Sequence, residues 1–139
     1  MCDVRKLLFC VFISILSVTA YAVTDYKAML KSCDELAQKG QQNASSTIQM
    51  VRIVEGQKDC YKNVANKIID AEYAKNKQQM VSEFNNFIKI SSDMAYSMQY
   101  PDSCNPNCGT IVGLNAANSD LEIIKAYVQQ LLHAMRIKL

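Results

Sequence analysis

Apolar residues recur at helical spacing along nearly the whole of this 139-residue chain, and residues that interrupt helices are scarce. There are four glycines, and both prolines, Pro101 and Pro106, fall in one short segment. An all-β domain needs a turn every few residues, so this scarcity argues against one. The pattern predicts an all-α fold: a small, disulfide-stapled, up-and-down bundle of about four helices.

The first helix is expected from Asp25 to Lys39, with Thr24 as cap and Tyr26, Met29, Leu30, Cys33, Leu36 and Ala37 as its apolar stripe. Gly40 suits the left-handed position that ends a helix. The second segment, Ser46 to Ala74, keeps helical phase through Ile48, Val51, Val54, Tyr61, Val64, Ala65 and Ile68. Ser46 and Gln49 form a candidate capping box. One long helix is the preferred reading; the β-branched stretch Thr47–Val54 leaves open an extended start, with the helix beginning near Gln57. A third helix is expected from Lys77 to about Gln99, with Asn76 as cap, because Pro101 pushes the residue before it out of the helical region. Its Met80, Phe84, Phe87, Ile88, Met94, Ala95 and Met98 read as core filling.

The fourth helix should run from about Thr110 to Arg136, with a break at Ser119–Glu122 as an alternative. Ile123, Tyr127 and Leu132 lie off its main apolar stripe. A helix apolar on several sides is central in a bundle or covered by a partner.

The N-terminus carries a basic stub, Arg5-Lys6, an apolar run from Leu7 to Val18, and the small-x-small end Ala20-Tyr21-Ala22. The run is shorter than the roughly 20 apolar residues a membrane-spanning helix needs. Together these make a signal-peptide pattern over residues 1–22, leaving one domain over 23–139. That domain keeps 13 lysines and arginines against 12 aspartates and glutamates, a net charge of +1. So even a balance argues against nucleic acid, which rewards clustered basic charge. No second apolar stretch reads as a membrane span, and the expected location is periplasmic or secreted.

Cys33, Cys60, Cys104 and Cys108 remain after cleavage. An even count in an exported chain predicts a disulfide framework. Cys33 and Cys60 each lie on a helix, and Cys104 and Cys108 lie in the proline-containing link. Tying both helices to the link is preferred, because it closes long loops. The alternative pairs Cys33 with Cys60 and Cys104 with Cys108.

A thiol-disulfide enzyme is the remote third reading, since the spacing is not Cys-x-x-Cys. Zinc and covalent haem are not expected: His133 is the sole histidine, and no Cys-x-x-Cys-His is present. No nucleophilic constellation emerges, so no catalytic residue, metal or cofactor is assigned. The carboxylates Asp34, Glu35, Asp59, Asp70 and Glu72 read as a solvated face.

Four stretches stand out: Cys33 with its polar helix, Asp59-Cys60-Tyr61 leading through Ile68 and Ile69 to Glu72-Tyr73, Tyr96 to Cys104, and Cys108-Gly109-Thr110-Ile111. Together they resemble the small exported domains related to bacterial lysozyme inhibitors of the LprI type. Ile69-Asp70 stands where that family has a Leu-Asn pair, and the final helix lacks a further cysteine. The resemblance implies a non-catalytic protein-binding module and a cell-wall hydrolase as partner. Tyr100, Asp102, Asn105 and Asn107 in the link are the candidate contact residues. The alternative is a structural, envelope-associated helical protein, homodimeric through helix four, with no enzyme target.

Overall fold

The computed structural model describes residues 25–99 and 109–137. The expected signal peptide, 1–22, and Tyr100, Asp102, Cys104, Asn105, Asn107 and Cys108 lie outside the described residues. Every element described is helical: α1 (residues 25–43), α2 (Thr47–Glu72), a 3-10 turn (Ala74–Asn76), α3 (Lys77–Gln99) and α4 (Thr110–Ile137).

On α1, Tyr26, Leu30, Cys33 and Ala37 repeat at steps of four and three and are buried, whereas Leu36 is 65% exposed. Gly40 does not end this helix. The chain stays helical to Asn43, whose side-chain amide donates to the Lys39 carbonyl at 2.9 Å. The space there is tight: a Cβ at Gly40 would lie 3.2 Å from the Ile53 side chain on α2, which would have to give by a few tenths of an ångström. The residue marks a close approach of two helices.

α2 is one continuous helix. Ser46 is extended, and its hydroxyl accepts from the Gln49 N–H at 3.3 Å. The returning arm of the box shifts by one residue: the Gln49 side-chain oxygen accepts from the Ser45 N–H at 2.7 Å. The Tyr73 N–H closes the far end on the Ile69 carbonyl at 3.0 Å. Asn76 belongs to the 3-10 turn that follows, and a Lys77–Asp70 ion pair at 3.0 Å braces the corner. α4 is likewise unbroken, for the Ser119 hydroxyl donates back to the Asn115 carbonyl at 3.0 Å instead of capping a new helix.

Residue pairings give the directions. Cys33 meets Cys60 while Gly40 meets Ile53, so α1 and α2 run antiparallel. Phe84 stacks on Tyr127 while Ser91 reaches Asp120, so α3 and α4 do too. Lys58 meets Asp120 and Tyr61 lies under Lys125, so α2 and α4 run parallel. This is the up-and-down order.

α4 is the central helix. It buries Ala116, Ala117, Leu121, Ile124, Val128, Leu131, Leu132 and Met135, and Tyr127 stacks on both Phe84 and Phe87 at 4.9 Å. Most of its apolar residues are therefore covered within the chain, while Ile111 near its start is 57% exposed. Among the described residues, no helix is long and apolar enough to cross a membrane.

Candidate functional site

Three arrangements carry chemistry. The first is a polar seam inside the bundle. Asp120 is fully buried on α4; one carboxylate oxygen accepts from the Lys58 ammonium of α2 at 2.9 Å, the other from the Ser91 hydroxyl of α3 at 3.3 Å. Lys58 also pairs with Glu55, one turn earlier. Burial disfavours the ammonium, but its bonds to Glu55 and Asp120 outweigh that and lift its pKa above the usual lysine value. Lysine, serine and aspartate together resemble a catalytic set. Asp120 is fully buried and Ser91 only 4% exposed, so the set sits inside the packed bundle. The seam joins three helices and lies between the main core cluster and a smaller one of Val54, Ala117 and Leu121.

Sequence reasoning missed this seam, although a signal was present. Lys58 falls between Val54 and Tyr61, Asp120 between Ala117 and Ile124, and Ser91 between Phe84 and Ala95. Each is a polar residue standing on an apolar phase.

The second arrangement is the α1–α2 seam. Cys33 and Cys60 are bonded, with Cα atoms 5.8 Å apart. This overturns the preferred tie of each helix to the link. Antiparallel neighbours bring the two cysteines together directly, and that proximity outweighs the larger entropy gain of a longer loop. Beside the bridge, the Asp34 carboxylate accepts from the Gln57 amide at 2.7 Å and the Tyr61 hydroxyl at 2.9 Å. Burial, and then the hydrogen bond to Asp34 and its charge, push the Tyr61 phenol well above its ordinary pKa. A mainly apolar groove of about 210 Å³ opens over the bridge, lined by Leu36, Gly40, Ile53 and Gly56 among others. Gly56 is helical, and a Cβ there would meet nothing within 4 Å. It costs about 1 kcal/mol relative to alanine, with no internal contact that requires it.

The third is an exposed ridge on α3. Ile90, Met94 and Met98 follow at steps of four and are 59%, 56% and 77% exposed. The methionines expected in the core divide accordingly: Met135 is buried, Met29 and Met80 pack partly buried against the core, and Met94 and Met98 face solvent. The ridge runs along α3 towards the link that holds the candidate contact residues. His133 is exposed, beside Lys27, Gln129, Gln130 and Leu132 in a shallow hollow. Comparison with family models, curated proteins and solved structures finds no match to this chain.

Proposed function

We propose that this chain is an exported, non-catalytic protein-binding module, acting in the periplasm or outside the cell, with a lysozyme-type cell-wall hydrolase as its partner. The observation that carries the reading is the Ile90–Met94–Met98 ridge. Three large apolar side chains aligned in solvent along one helix are what a docking surface requires. Methionine suits such a surface, because its unbranched, polarizable side chain adapts to the shape it meets. A cross-linked helical scaffold supports the same reading, since it loses little freedom on binding. The resemblance to lysozyme inhibitors selects the partner class.

The test is capture of lysozyme by the oxidised protein, with hydrolase activity read alongside. Saturable capture that blocks activity is expected, and Met94→Glu with Met98→Glu should abolish it at unchanged helicity and melting temperature. No capture by the folded protein removes the hydrolase reading. Capture that survives both substitutions removes the ridge.

A further inference from the structure

We propose that the α1–α2 groove seats a second copy of this chain, the two α2 helices crossing antiparallel at Gly56. This goes beyond the hydrolase reading and stands without it, because the groove shares no residue with the α3 ridge.

Gly56 is the first observation. No left-handed backbone and no neighbouring atom explains a glycine in mid-helix, whereas the same residue type at Gly40 is accounted for by Ile53. What a missing Cβ permits is the close approach of another backbone from outside. Leu36 is the second. It projects into solvent at the groove's edge, so knob and hole occupy one patch. A two-fold interface uses the same patch on both copies and needs this self-complementarity.

Charge selects the occupant and its direction. Arg52 and Asp59 lie seven residues apart, two helical turns, on the exposed side of α2 on either side of Gly56. Among the described residues Arg52 makes no ion pair, and Asp59 reaches only Lys62, at 3.4 Å. Antiparallel crossing at Gly56 sets Arg52 of each copy against Asp59 of the other, giving two symmetric pairs. Parallel crossing sets like charges together. The patch covers about two turns of each helix, which places it at the small end of specific interfaces and makes the dimer concentration-dependent.

Sedimentation equilibrium of the purified, disulfide-bonded protein, from micromolar to near-millimolar concentration, is the test. The expected result is a mass rising from one chain towards two. Gly56→Leu should remain monomeric with a melting temperature equal to or above wild type, since a Cβ there meets nothing within 4 Å and leucine is the better helix former. Asp59→Arg should weaken dimerisation at least about tenfold, and Arg52→Asp combined with Asp59→Arg should restore it. If Gly56→Leu fails to fold, the two surface charge variants decide. A wild-type protein monomeric throughout, a folded Gly56→Leu that dimerises as well as wild type, or a charge exchange that restores nothing would each overturn the proposal. Loss of lysozyme capture leaves these outcomes untouched.

Discussion

The two seams of this bundle are closed by opposite means. Between α1 and α2 the fastening is a covalent bridge with an exposed carboxylate beside it, and a groove lies open over it. Between α2, α3 and α4 it is a buried aspartate that binds a lysine and a serine. Apolar area explains the contrast. α1 buries four apolar residues, Tyr26, Leu30, Cys33 and Ala37, against eight on α4. A short, sparsely buried helix gains much from a cross-link that restricts its unfolded freedom. A helix surrounded on several sides is already held by packing, and there a polar group acts on register: Asp120 satisfies Lys58 and Ser91 together at only one alignment of three helices. The seam that needs the covalent tie is also the one with surface to spare for a partner.

The largest effect should come from unpairing the buried seam. Asp120→Ala strands the Lys58 ammonium with Glu55 alone, and urea unfolding should show a loss of about 3–5 kcal/mol. Lys58→Met with Asp120→Leu, which removes both charges, should return stability to within about 1 kcal/mol of wild type or above it. A single-variant loss under about 1 kcal/mol would mean that Glu55 suffices and the comparison of seams fails.

Next is the bridge. Cys33→Ala with Cys60→Ala should cost about 2–4 kcal/mol, and hydrogen exchange should show α1 opening ahead of the other helices. Uniform loss of protection would instead make the two seams one cooperative unit.

The smallest effect sharpens the α1–α2 side. Tyr61→Phe removes the hydroxyl bonded to Asp34 and should cost about 1 kcal/mol. It should also change the alkaline limb of stability. Folding raises the Tyr61 phenol above its unfolded pKa, so its contribution is whole below about pH 10 and is lost as pH rises through the folded value. Burial shifts Tyr26, Tyr73 and Tyr127 the same way, and the bonds of Lys58 act with them. Melting temperature should hold level from neutrality to about pH 9.5 and fall above it, less steeply in Tyr61→Phe. Identical alkaline limbs would show that the Asp34 contact carries no such linkage.

Where the sequence alone sufficed, the deciding physics was local. The expected helix from Lys77 to about Gln99 matches the described α3, because helical phase acts within a few residues along the chain. The continuity of α2 through Gly56 and the centrality of α4 were legible for the same reason: a long run in phase outweighs one weak helix former, and apolar residues on several sides require cover on several sides. Tertiary structure decided what depends on distance between elements. Gly40 has the local character of a helix stop, and only the approach of Ile53 shows it as a crossing point. Cys33 had three candidate partners until antiparallel packing put Cys60 5.8 Å away. Met94 and Met98 share the core's phase, but phase specifies the side of a helix a residue occupies and not whether a neighbour reaches that level. The Lys58–Asp120–Ser91 seam, 62 residues across in sequence at its ion pair, forms only when three helices meet, since each polar side chain is costly in the core until the others arrive to bind it.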